Sequence, residues 1–283
     1  MASILTNSSS MAALQTLRSI DNQMSTTQSR ISSGLKVGSA SDNAAYWSIS
    51  TTMKSESSSL SVVGEALGMG SSLADIASTA TQSLIDLMSQ VRDRVVAAGE
   101  STNDKDKIQT ELTQLYTQMT NTVDAASFNG QNWLKATDKT NADLGASTKV
   151  LSGITGGTLN FIDVNLETGS TNTSEVVATV TALTRTALDD TNIQATLTTI
   201  DTAIKGLTEL GSTFGAASSR MGIQKDFIAS LTDAIDRGVG SLVDADMNEE
   251  STRLKALQTQ QQLAVQSLSI ANSSSESILQ LFR

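Results

Sequence analysis

Apolar and small residues recur near the C-terminal end of the chain as Val243, Met247, Leu254, Leu257, Ala264, Leu268 and Ala271, in steps of three, four or seven. That spacing is the seam of a helix made to lie against other helices. Two slots of the same register, Glu250 and Gln261, are polar. A seam so interrupted is too weak to hold a helix by itself. A matching seam lies at the other end of the chain, at Leu14, Leu17, Met24, Ile31 and Leu35. The pattern predicts that the two ends pair with each other and then with further copies, the polar slots lying where neighbouring subunits meet.

Between these seams the pattern changes several times. Residues 1 to about 38 read as an amphipathic helix loosened at its end by Gly34 and Gly38, each costing about 1 kcal/mol against Ala. Val37 to Ser50 reads as an irregular stretch of small residues in which Tyr46 and Trp47 anchor a bend. A long helical stripe follows through Leu60, Val63, Leu67, Leu73, Ile76, Ala80, Leu84, Leu87, Val91 and Val95, ending near Gly99. A third helix carries Ile108, Leu112, Leu115, Met119 and Val123, with Asn103 or Asp104 as its cap, and stops at the turn signal Asn129-Gly130. Ile162, Val164 and Leu166 then alternate with Asp163 and Asn165, as in a half-buried strand. Thr171 to Thr186 fits strand or loop. The helical period returns with Ile193, Leu197, Ile200, Ile204, Leu207, Phe214, Ala217, Met221, Leu231 and Ile235, and Gly238 and Gly240 mark a joint before the terminal seam.

The expected fold class is therefore mainly α. It is a long antiparallel helical bundle or coiled-coil rod, with paired N- and C-terminal helices and a small β-hairpin region at about 130–185.

Composition supports this picture. Among 283 residues there is no Pro, no Cys and no His, and only 2 Trp, 2 Tyr and 5 Phe. Aliphatic side chains must supply the core, which suits thin helical bundles, and the lack of Pro permits long unkinked helices. A net charge of -10 and a pI near 4.5 argue against nucleic acid as a partner. No run approaches the length of a membrane span, so no membrane insertion is expected. The first residues, without a base before Arg18 and without a continuous apolar core, do not read as a cleavable signal.

Candidate chemistry is sparse. Without His or Cys the usual general base and the commonest metal ligands are missing, so no catalytic, metal or cofactor residues are assigned and an enzyme is not expected. Gly64, Gly68 and Gly70 lie within a helical period, with no strand before them and no Lys-Ser/Thr after them, unlike a phosphate loop. Asp244, Asp246, Glu249 and Glu250 lack the spacing of a calcium loop and instead place favourable charge at the start of the last helix. Arg92 and Arg94 form either a recognition patch or an ordinary charged face paired with Asp86, Asp93 or acids of a neighbouring helix. The Ser and Thr residues of 168–198 are either O-glycosylation acceptors or plain solvated surface.

Three separated segments resemble bacterial flagellins. SRISSGLKVGSASDNAAYWSIS (Ser29–Ser50) looks like the family's N-terminal signature. IQTELTQLYTQMTNTVDAASFNGQNWL (Ile108–Leu134) looks like its third helix and Phe-Asn-Gly turn. LQTQQQLAVQSLSIANSSSESILQLFR resembles its C-terminal end. The wording ASDNAAYWSIS is similar to that of short alphaproteobacterial flagellins.

The resemblance implies a secreted, extracellular subunit of the flagellar filament used in swimming motility. Residues 1–42 with 241–283 would form the inner coiled-coil polymerisation domain, and 43–240 a helical rod domain with the hairpin, without outer variable domains. Self-assembly is expected through Leu14, Leu17, Met24, Ile31, Leu35, Val243, Met247, Leu254, Leu257, Leu268, Leu281 and Phe282. Further implied partners are related flagellins, the flagellar export apparatus, an export chaperone on the C-terminal helix, and hook-associated and cap proteins.

Two immune-recognition segments of the family can be compared. Ser41, Asn43 and Tyr46-Trp47 depart from the peptide sensed by plants. Against the helix that engages the vertebrate receptor, Arg92 and Glu111 match while Gln90 and Arg94 do not, which implies weak or absent activation. The alternatives are a hook–filament junction protein, which shares the end motifs, and a coiled-coil signalling or receptor-binding protein, which would bring a membrane span or sensor domain.

Overall fold

The computed structural model describes residues 7–100, 103–135, 147–155, 157–165 and 192–281, without the side chains of Ser147, Asn165 and 274–281. In order, the elements are α1 (Ser8–Ser33), α2 (Ala44–Ala98), α3 (Lys105–Ala125), β1 (Ser147–Thr155), β2 (Thr158–Asn165), α4 (Ile193–Val243) and α5 (Met247–Leu281). The protein is mainly helical, with its N- and C-terminal helices paired and one two-stranded antiparallel hairpin. It divides into two compact units, Met1–Ser57 with Asp233–Arg283, and Ser58–Thr232.

The helix ends follow from local chemistry. Asn7 caps α1, its side-chain oxygen accepting from Ser10 N at 3.1 Å. Gly34, at φ 74°, ends it in the left-handed conformation that glycine takes without strain. Asp104 caps α3, accepting from Lys107 N at 3.3 Å. Asp246 satisfies the first amides of α5 through Asn248 N and Glu249 N.

Two expectations about joints are corrected. Tyr46 and Trp47 do not sit in an irregular bend: Asn43 accepts from Ala45 N and Tyr46 N and starts α2 at Ala44. Gly238 and Gly240 do not interrupt the helix either, for α4 runs through them to Val243. A Cβ at Gly238 would lie 3.3 Å from Met53 Cε, so the first of these glycines serves close packing. The chain turns afterwards, at residues 244–246.

In the larger unit, α2, α3 and α4 share a core in which Val63, Leu67, Leu84, Met88, Leu112, Met119, Ile200, Leu207 and Met221 are almost fully enclosed. Trp133, in a short 3-10 turn, meets Phe214 with ring centroids 6.2 Å apart. Asn129 and Gly130 both have positive φ, and Phe128 and Gln131 exchange backbone hydrogen bonds around them, which is the geometry of a primed two-residue turn.

The described hairpin lies within the expected region. It pairs Val150 with Ile162 and Thr148 with Val164 on a buried face, and its turn passes through Gly157 at φ 83°. A bulge between Leu151 and Gly153 leaves the Ser152 carbonyl free to accept from Gln224 Nε2 of α4 at 3.1 Å. Leu166 and the segment Thr171 to Thr186 lie outside the described residues.

Candidate assembly surface

In the smaller unit α1 lies against α5. The partly or fully buried positions of α5 are Glu250, Leu254, Leu257, Gln261, Ala264, Leu268 and Ala271, and those of α1 are Ser10, Ala13, Leu17, Ile20, Met24, Thr27, Arg30 and Ile31. Apart from Arg30, which flanks the α1 row beside Ile31, both sets step by three and four, a heptad repeat on each helix. Leu14 lies beside the α1 row, and Met247 keeps the α5 spacing but sits at its exposed start; they are 38% and 44% exposed. Ala13 takes the place in the seam that the larger Leu14 suggested. Leu35 and Val243 belong to a neighbouring cluster with Val37, Val239, Met53, Ile235 and Leu242. Only the backbone of Leu281 is described, and Phe282 lies outside the described residues.

Several polar contacts tie the pair together. Ser10 Oγ donates to Asn272 Oδ1 at 2.8 Å, Asn7 Nδ2 to the Ala271 carbonyl at 3.0 Å, and Gln261 Nε2 to Asp21 Oδ1 at 2.8 Å. Arg30 Nη1 reaches Glu250 Oε1 at 3.1 Å. At this same end Ala245 N donates to the Gly34 carbonyl at 2.9 Å, and Lys36 N to the Val243 carbonyl at 2.7 Å. Successive contacts climb α1 as they descend α5, so the two helices run antiparallel. Glu250 Oε1 and Gln261 Nε2 thus each have a partner inside the pair, Arg30 and Asp21.

The apolar side chains outside the seam point to another surface. Met11, Leu14, Met247, Leu263, Val265 and Ile270 are exposed, Met11 and Ile270 by 67% and 70%. Ile20 and Leu257 are the only apolar side chains of α1 and α5 that are buried among the described residues.

In the larger unit Gln90, Arg92, Arg94 and Glu111 are all exposed. Arg94 Nε pairs with Glu111 Oε2 at 3.1 Å and Arg92 Nη1 with Asp201 Oδ1 at 3.7 Å. Both arginines thus meet acids of neighbouring helices, and pairs so exposed contribute little stability. Among the described residues no helix is long and apolar enough to cross a membrane, and no cluster has the composition of a metal site.

Paired end helices that leave several apolar side chains exposed are those of a helical structural subunit. Comparison with known proteins agrees. The description "Bacterial flagellin N-terminal helical region" matches residues 4–139, and "Bacterial flagellin C-terminal helical region" matches residues 197–282. Flagellin C of Rhizobium meliloti (strain 1021) is 44% identical over 322 aligned positions, covering 100% of both chains. The flagellin of Brucella melitensis biotype 1 is 43% identical over 286 positions, again covering 100% of both. A putative flagellar hook-associated protein from Vibrio parahaemolyticus has a similar fold, with a TM-score of 0.56 at 14% identity over 72% of this chain and 100% of that one.

The chain belongs to the bacterial flagellin family. It is a structural subunit of the flagellar filament, outside the cell, and not an enzyme.

Proposed function

We propose that the subunits join chiefly through the apolar side chains that the α1/α5 pair leaves exposed around its outside, with residues 1–42 and 241–283 acting as an inner polymerisation domain and 43–240 as the layer around it. The observation that carries this reading is the apolar set Met11, Leu14, Met247, Leu263, Val265 and Ile270, left exposed on helices whose own seam buries little. Such side chains gain burial only between copies, at roughly 25 cal/mol per Å². Contacts between unlike faces do not close on themselves and generate an open helix.

Leu17, Met24, Ile31, Leu254, Leu257 and Leu268 then hold the pair together, while Leu14 and Met247 belong to the exposed set. Related flagellins, the export apparatus, an export chaperone, and hook-associated and cap proteins are the further partners this reading expects. Nothing outside the two family segments is required for assembly. In support, those segments stop at 139 and resume at 197, and the Rhizobium alignment spans 322 positions against the 283 residues here.

The test is electron microscopy of concentrated protein seeded with filament fragments. The full chain is expected to extend the seeds. A chain ending at Arg253, which lacks most of α5, is expected to stay monomeric and soluble, and filaments of that truncated chain would overturn the reading.

A further inference from the structure

We propose that Arg30 and Glu250 are the register key of the α1/α5 pair: an ion pair between a buried carboxylate and a half-buried guanidinium that decides which residue of one helix faces which residue of the other. Glu250 is the only charged residue that is buried among the described ones, at 5% exposed. Its carboxylate takes Arg30 Nη1 at 3.1 Å from across the seam and Arg253 Nη1 at 3.6 Å from its own helix.

The remainder of the seam discriminates poorly between registers. Ala13 and Thr27 on α1, and Ala264 and Ala271 on α5, are small residues that fit several neighbours. A coiled coil with small knobs can slip by a turn with little loss of apolar contact.

The charges cannot slip. The other α1 seam positions, Ser10, Ala13, Leu17, Ile20, Met24, Thr27 and Ile31, offer Glu250 no base. The other α5 seam positions, Leu254, Leu257, Gln261, Ala264, Leu268 and Ala271, offer Arg30 no acid. Sliding by one turn would leave Glu250 without its partner from across the seam, the costly state for a buried carboxylate.

The pair is also incompletely satisfied. Arg30 Nε and Glu250 Oε2 are enclosed and have no hydrogen-bond partner among the described residues. A one-point pair of this kind, its carboxylate buried, is a poor source of stability and a sharp filter against wrong registers. Its position suits that role, because the backbone hydrogen bonds of Gly34 with Ala245 and of Lys36 with Val243 clamp the helices at the same end. From there the match runs outward to Asp21–Gln261 and Ser10–Asn272.

The consequence for filaments rests on the end-helix reading above, since the register decides which apolar side chains the pair presents together. The register itself can be tested separately. The chain contains no cysteine, so introduced pairs report without background. Ser10→Cys with Asn272→Cys captures the native register, and Ser10→Cys with Leu268→Cys captures a slip of one turn. Each pair is placed in the full chain with Arg30 and Glu250 intact, with Glu250→Gln, and with Arg30→Met plus Glu250→Met, and is oxidised before and after assembly.

With Arg30 and Glu250 intact the native crosslink should dominate. In the double Met variant, whose apolar pair keeps the helices packed, the ratio of slipped to native crosslink should rise about tenfold, and Glu250→Gln should fall between. An unchanged ratio in both variants, or no preference in the starting chain, overturns the proposal. If the double variant fails to fold, the Gln variant alone decides. Correct crosslinks in a chain that never builds filaments would count against end-helix assembly and leave the register key standing.

Discussion

At the residue scale, Tyr116 of α3 is 6% exposed, and burial raises its phenol pKa from 10.0 to about 12. A raised folded-state pKa means that the stabilisation is complete below the unfolded value of 10.0 and is lost as pH rises through about 12. Tyr116→Phe should remove that loss. Denaturant melts at pH 9 and pH 12 should show the native chain losing up to about 3 kcal/mol more than the variant, from roughly 1.4 kcal/mol per pKa unit. Equal losses in the two proteins would contradict the account. Single residues also mark what the sequence hid. Its pattern placed Glu250 and Gln261 in the seam but could not name their partners within the chain, because spacing gives the face a residue occupies and not what lies across from it. Arg30 and Asp21 lie more than two hundred residues away in sequence, and no local pattern connects them.

At the element scale, helical periodicity was legible wherever large aliphatic side chains carried it. The α2 stripe is buried at Leu60, Val63, Leu67, Leu73, Ala80, Leu84, Val91 and Val95, with Met88 as a further core position. On α1 the apolar Leu14 drew the seam off line by one residue, because Ala13 and Thr27 have little apolar signal of their own. Glycines misled in a similar way, since a glycine can end a helix or allow a close approach. Gly70 in α2 does the second. A Cβ there would lie 2.6 Å from Val150 Cγ1 of the hairpin and 2.9 Å from Met221 Sδ of α4. Gly70→Ala should therefore destabilise the larger unit by about 1–3 kcal/mol, the cost of overpacking, despite alanine's better helix propensity. Gly215→Ala, with nothing within 4 Å of the added carbon, should instead stabilise it by about 0.5–1 kcal/mol. Thermal melts of both variants check the pair of signs.

At the scale of the molecule, the two compact units differ in how much apolar surface they enclose. The larger holds most of the buried aliphatic and aromatic side chains, while the smaller relies on Ile20, Leu257 and the cluster of Val37, Val239 and Val243. Calorimetry of the unassembled chain should resolve two transitions, the first belonging to the smaller unit and moving upward in temperature as association sets in. A single transition independent of concentration would refute this. The helical class and the paired ends were legible from composition and period, whereas the extent of each unit depends on contacts that no local stretch encodes.

The hydrogen bond between Asn7 and the Ala271 carbonyl joins residues 264 positions apart. During synthesis α1 leaves the ribosome long before its partner exists. At roughly 5–20 residues per second the delay is about 13–50 seconds. Throughout that interval the first helix of the chain is unpaired and open to any passing binder, and its fate is decided by whatever meets it before α5 is made.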